Sequence, residues 1–186
     1  MRNTMKFRAL IYNSVTLNAP KNILQLLFGV VIYASITGEY NILKIIFATL
    51  GLCLGLGAIY LFNDLTDYES DKKNELKISW KAIANVSLSL ETAKYLIVVL
   101  SIFGTIFSFL AGTNFFIIYM FVIILNLMYS TPAIRLKNSK NASVIIITLI
   151  QILKFSSGWF MFTNSFDGFP FSFVMCLSIG YTLLFL

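Results

Sequence analysis

Between Ile42 and Phe62 the chain carries a single charge, Lys44, and comparable apolar runs occupy Ile23 to Thr37, Ala93 to Ala111, Phe115 to Met128, Ala142 to Phe162 and Phe169 to Leu186. Each is close to the ~20 residues that a helix needs to cross the hydrocarbon of a bilayer. The rest of the composition agrees: 58% of side chains are hydrophobic and 12% charged, against roughly 25% charged in a soluble domain. Mean hydropathy is +0.83. The expected fold is therefore all-α, a polytopic transmembrane bundle of about six spans, forming one domain over residues 1–186. The first and fourth runs are short, so their helices must recruit neighbours such as Thr16, Leu17, Asn126 and Tyr129.

Within lipid every backbone polar group must be bonded internally, which leaves helix packed on helix. Gly51, Gly55 and Gly57 in "LGLCLGLGAIY" mark a face where another helix can approach closely. Cys53 and Cys176 stand singly in apolar runs and offer neither a disulfide framework nor zinc spacing. The N-terminal stretch is too polar to be a cleaved signal. Charge sets orientation. Arg2, Lys6, Arg8 and Lys21 precede the first span, Lys72, Lys73, Lys77 and Lys81 follow the second, and Arg135, Lys137 and Lys140 follow the fourth. The alternate loops, at Gly38, Gly112 and Asn164, contain no Lys or Arg. The positive-inside bias places the N-terminus and the basic loops in the cytoplasm, as expected of a multi-pass protein of a bacterial plasma membrane. Nucleic acid is not an expected partner.

In this charge-poor chain, "YLFNDLTDYESDKKNE" (Tyr60 to Glu75) gathers five of the eight carboxylates. Taken alone, the run can be a solvated loop balanced by Lys72, Lys73 and Lys77. Its position favours a site. The aspartates begin where an apolar span ends, and if that helix continues past Phe62, Asp64, Asp67 and Asp71 fall along one face while Glu69 points elsewhere. A divalent cation would relieve their repulsion. The chain has no histidine, so the available ligands are hard oxygen, which suits Mg²⁺ shared with a substrate phosphate. Asn63 can add an amide oxygen. A second polar constellation, "MYSTPAIRLKNSK" from Met128 to Lys140, lies in the next basic loop, and cations facing a metal site are what a diphosphate needs.

"NDLTDYESD" fits the NDxxDxxxD signature of the UbiA-type intramembrane prenyltransferases, and "YSTPAIRLK" resembles the YSxPPxRLK segment of the same family. The resemblance implies a bundle of usually about nine spans. It also implies Mg²⁺-dependent transfer of a prenyl group from a polyprenyl diphosphate to an aromatic or other acceptor in the membrane. By position it implies Asn63, Asp64, Asp67 and Asp71 as the first metal cluster and Tyr129, Arg135 and Lys137 as diphosphate contacts. Phenylalanine rings would suit an allylic cation, though Phe in membrane helices mostly packs.

There are departures from the pattern. Where the family has a basic residue and then Arg-Pro-hydrophobic-Ala, this chain has "KNELKISWKAIAN", with Lys77 and Lys81 as the counterparts of the two cations, and Ala133 stands where a second proline is common. Lys154 is an ionisable group in the middle of the fifth span. It either reaches a polar neighbour such as Gln151 or serves a substrate. The family branch that couples polyprenyl phosphate with phosphoribosyl diphosphate carries an arginine at a comparable place, which keeps phosphoribosyl transfer open. The family's second aspartate-rich motif follows its sixth span, and this sequence reaches Leu186 without one. The expectation is an incomplete bundle with little turnover of its own; a silent bundle that binds polyprenyl phosphate or a protein partner is the alternative.

Overall fold

The computed structural model of the protein describes residues 19–86 and 88–184, without the side chains of 79 and 80. Among these residues the chain forms helices and no strand. The long helices are α1 (Ala19–Thr37), α2 (Ile42–Thr66), α5 (Leu90–Ala111), α6 (Thr113–Ser130) and α7 (Lys140–Phe160). Between α2 and α5 lie two short ones, α3 (Tyr68–Asp71) and α4 (Glu75–Trp80), and the last helix is α8 (Phe171–Leu183). Five helices are long and apolar enough to cross a membrane. The sixth apolar run forms the 13-residue α8, about 20 Å long at 1.5 Å per residue. The short fourth run does recruit Asn126 and Tyr129 into α6, whereas Thr16 and Leu17 lie outside the described residues. Lys21 belongs to the first turn of α1 rather than to a loop before it; Arg2, Lys6 and Arg8 lie outside the described residues.

Local chemistry sets the helix boundaries. Asn41 Oδ1 accepts from the Lys44 N–H to open α2, Asn74 Oδ1 accepts from the Leu76 and Lys77 N–H groups to open α4, and Ser89 Oγ accepts from the Thr92 N–H to open α5. Gly112 alone separates α5 from α6, with φ +129°, a conformation that side chains rarely adopt. A tight reversal of the two membrane helices therefore depends on glycine.

The bundle packs through small residues. A methyl group built on Gly51 would strike Ser108, and one on Gly55 would strike Tyr119, so α2 lies against α5 and α6 at close range. Gly104 of α5 meets the Gly55 backbone and the Tyr119 hydroxyl at the same place. The expectation for Gly51 and Gly55 is met. A similar contact, Gly29 against Gly158, joins α1 to α7. Leu26, Leu52, Leu56, Phe115, Tyr119 and Val122 form the main core. Val31, Ile46, Val98, Ile102, Phe121 and Ile124 point outward, as lipid-facing side chains do. The protein is thus a membrane protein. One set of ring contacts gathers around Tyr33, Trp159, Phe160, Phe166 and Phe169 on α1, α7 and the segment before α8 and acts in packing.

Candidate active site

The helical run through the acidic segment is interrupted at Asp67, where α2 ends with φ −96° and ψ 0° and a separate turn, α3, begins. The three aspartates engage cations in two groups, Asp64 and Asp71 with Lys81 and Lys77, and Asp67 with Arg135 and Lys137. Asp71 is buried; its two oxygens accept from Lys77 Nζ and Lys81 Nζ, both at 2.6 Å. Lys81 Nζ also lies 2.8 Å from Asp64 Oδ1, so one lysine bridges the first and third aspartates. Asp67 instead accepts from Arg135 Nη2 at 2.9 Å and from Lys137 Nζ at 2.7 Å. Glu69 faces solvent and pairs with Lys72, as its register predicts.

Burial alone would raise the Asp71 carboxyl, but the hydrogen bonds from Lys77 and Lys81 outweigh that and hold it below the ordinary carboxylate range. For Lys81 the same contest runs in mirror image: burial lowers it, and the hydrogen bonds to Asp64 and Asp71 raise it above the usual lysine value. What seats Lys81 there is apolar. The residues after it, Ala82, Ile83 and Leu88, are buried with Leu61 and Ala93 in a small cluster between α2 and α5.

Arg135 is held differently. It has φ +40° and ψ 55°, left-handed for a non-glycine residue, a conformation that costs about 1–2 kcal/mol. Its backbone N–H donates to the Thr131 carbonyl at 2.7 Å. The Nε is buried without a partner among the described residues. Strain and an unsatisfied donor at one residue are typical of positions kept for a ligand.

Behind the ion pairs, α1, α2, α6 and α7 enclose a cavity of about 210 Å³ lined by Lys21, Tyr60, Asn63, Tyr129, Gln151 and Lys154 among others. Sequence reading anticipates Asn63, Tyr129 and Lys154 at a site, and all three line this cavity. It misses Lys21, Tyr60 and the α1 amides. Asn22 donates to the Tyr60 hydroxyl at 3.4 Å, and Gln25 donates to Gln151 Oε1 at 2.7 Å. Gln151 is therefore engaged by Gln25. The signal available in the sequence was the spacing of Lys21, Asn22 and Gln25, one and three residues apart on one face of an otherwise apolar helix.

Among the described residues no group of three or more acidic, Cys or His side chains stands close enough to hold a metal ion. The donor set nevertheless fits Mg²⁺. Asp64, Asp67 and Asp71 offer only hard oxygen, and the neighbouring Asn63 Oδ1 is buried with no hydrogen-bond partner among the described residues.

The family model of the UbiA prenyltransferase family matches residues 23–186. The chain belongs to the UbiA prenyltransferase family. Its fold is similar to that of a UbiA homolog from Archaeoglobus fulgidus bound to GPP and Mg²⁺, with a TM-score of 0.74 and 16% identity over 93% of this chain and 60% of that one. The same homolog bound to DMAPP and Mg²⁺ gives a TM-score of 0.73 and 17% identity over 91% of this chain and 60% of that one. This UbiA-family chain thus spans about 60% of the length of the solved structures it matches. No curated protein matches its sequence.

Proposed function

We propose that this UbiA-family chain carries the donor site of a Mg²⁺-dependent prenyltransferase, which moves a prenyl or polyprenyl group from its diphosphate to an acceptor within the membrane. One observation carries the reading: Arg135 and Lys137 reach across 68 and 70 residues of sequence to the same carboxylate, Asp67. That joins the aspartate motif to the basic loop in one constellation. Three carboxylates there face four cations, Lys77, Lys81, Arg135 and Lys137. A diphosphate is a stronger anion than any one of the carboxylates, so these cations would turn to it and leave the aspartates free.

Asp64, Asp67 and Asp71, with Asn63, would then hold Mg²⁺, which neutralises charge on the leaving diphosphate. The bond between the allylic carbon and the diphosphate oxygen breaks, and its electron pair departs with the diphosphate. The acceptor's nucleophile supplies the pair for the new bond to that carbon, and the proton it loses leaves with the diphosphate. Arg135, Lys137, Lys77 and Lys81 would stabilise the departing charge, and burial strengthens the contacts of Lys81 and Lys137 most. Tyr129 can donate its hydroxyl from the cavity wall. The apolar tail has the bundle and the surrounding lipid to occupy.

Titration of the purified chain with a fluorescent prenyl diphosphate tests the donor site. Mg²⁺ is expected to raise affinity, Asp67→Asn to remove most of that gain, and Glu69→Gln to leave it intact; equal losses from both substitutions would reject the assignment. The site is expected on the cytoplasmic side. On a Cys53→Ser, Cys176→Ser background, a cysteine at Ser139 should react with an impermeant thiol reagent from the cytoplasm only and one at Ser165 from the opposite side only. Labelling of both from one side contradicts the orientation.

A further inference from the structure

Lys81 caps the C-terminal end of α4 and touches two carboxylates at once. Its ammonium is 2.6 Å from Asp71 Oδ2 and 2.8 Å from Asp64 Oδ1, so oxygens from two separate helices converge on one atom. The place is nearly closed to water: the Lys81 side chain is 11% exposed and that of Asp71 1%. The backbone beneath is fixed as well. The Lys81 N–H donates to the Lys77 carbonyl at 2.9 Å, the Asn85 N–H donates to the Lys81 carbonyl at 3.0 Å, and Ala82 and Ile83 are buried directly after it. Lys77 differs, for its side chain is 42% exposed and its ammonium pairs with Asp71 Oδ1 from the outer side of the bridge. Two carboxylates and two ammoniums already balance. Mg²⁺ added alone would therefore leave an excess of positive charge where little water can screen it. An ion that arrives with a diphosphate brings its own anion.

We propose that Lys81 gates the metal: its ammonium keeps the place between Asp64 and Asp71 that Mg²⁺ is to take, and gives it up only when a diphosphate arrives with the ion and draws the lysine to itself. The proposal rests on the prenyl-transfer reading and adds to it the order in which that site fills. Lysine suits the task. Its flexible four-carbon stem lets the ammonium move while the backbone stays where Ala82 and Ile83 hold it. Its three N–H donors serve both carboxylates in the resting protein, so neither is left as a buried, unpaired charge. The exchange breaks no covalent bond; one counter-ion replaces another on each side. In consequence the aspartates take no divalent ion from solution until the lipid substrate is present. Metal and diphosphate then bind as a unit, and by linkage each raises the affinity of the other by the same factor.

The test uses the full chain in lipid nanodiscs and compares wild type with Lys81→Met, Lys81→Arg and Lys77→Met. Lys77→Met removes the same charge from the same cluster but leaves the bridge in place. Calorimetry measures Mn²⁺ binding without diphosphate, and thermal unfolding is followed with and without Mg²⁺. Freed of the ammonium, Lys81→Met should bind Mn²⁺ about ten-fold or more tighter than wild type does. Mg²⁺ should raise the unfolding temperature of Lys81→Met and leave that of wild type unchanged. Lys81→Arg and Lys77→Met should show the weak Mn²⁺ binding of wild type. Where Lys81→Met does not fold, Lys81→Gln purified in Mg²⁺ takes its place, and chelation should then unfold it but not wild type. Equal Mn²⁺ affinity in wild type and Lys81→Met, or an equal gain in Lys77→Met, would overturn the proposal. Failure of both neutral variants to fold even in Mg²⁺ would do so too, because the ion is expected to stand in for the ammonium. Failure of the underlying prenyl-transfer reading would show separately, as absence of Mn²⁺-dependent geranyl diphosphate binding in wild type.

Discussion

Lys81 and Lys154 are both buried lysines, yet their surroundings are opposites. Lys81 lies between Asp64 and Asp71 in a network where each aspartate has a cation. Lys154, in the cavity behind that network, has amides and tyrosines around it and a second lysine along the wall, but no carboxylate. At the aspartate-rich end each carboxylate is balanced by at least one cation, so a ligand binding there would have to exchange with contacts already made. The cavity lining carries two lysines and no carboxylate. The two regions thus surround a buried lysine by opposite means.

The largest effect should come from breaking the balanced side. Lys81→Met removes the bridging cation, leaving Asp71 with Lys77 only and depriving Asp64 of this contact, and loss of one partner from a buried pair costs about 3–5 kcal/mol. The same substitution at Lys154 should leave stability unchanged or raise it by about 1 kcal/mol, because the charge it removes has no counter-charge to strand. Thermal unfolding of both variants in one detergent decides this. Equal destabilisation of the two would erase the contrast.

A smaller effect concerns pH. The Asp71 carboxyl is held below its ordinary value by Lys77 and Lys81, so its contribution is full above the unfolded aspartate value of about 3.9 and is lost as pH falls through the lower folded value. Lys81 is raised by Asp64 and Asp71, so its contribution is full below about 10.4 and is lost as pH climbs through the higher folded value. Stability should therefore be flat between these limits, with an acid limb that Asp71→Asn removes. An unchanged acid limb in that variant would locate the titrating group elsewhere. The smallest effect belongs to Glu69→Gln: its pair with Lys72 is exposed, and water and salt screen such pairs.

How far the sequence reveals these features follows from the range of the interactions. The long helices are legible because apolar length is a local signal, and five of the six expected spans are helices long enough to cross a bilayer. The motif residues are legible as candidates because their spacing is local too. The break at Asp67 is not, since "NDLTDYESD" has neither glycine nor proline to announce it, and the turn goes with cations drawn from other segments. The bridge from Lys81 is visible only as a displaced counterpart of a family arginine; its placement depends on Ala82, Ile83 and Leu88 packing into a tertiary cluster. The Gln25–Gln151 bond, across 126 residues, leaves only isolated amides in apolar runs. The αL backbone of Arg135 carries no glycine or asparagine as a cue.

The aspartates are expected to hold a divalent ion together with a diphosphate once their resting ion pairs are exchanged. Electron paramagnetic resonance of Mn²⁺, substituting for Mg²⁺, reads this directly on the purified chain. Free Mn²⁺ signal should fall strongly only when geranyl diphosphate and protein are both present, because the carboxylates are otherwise engaged by Lys81, Lys77, Arg135 and Lys137. That fall should disappear in Asp64→Asn and Asp67→Asn and persist in Glu69→Gln. Mn²⁺ binding that survives both aspartate substitutions, or that occurs equally without diphosphate, would contradict the account.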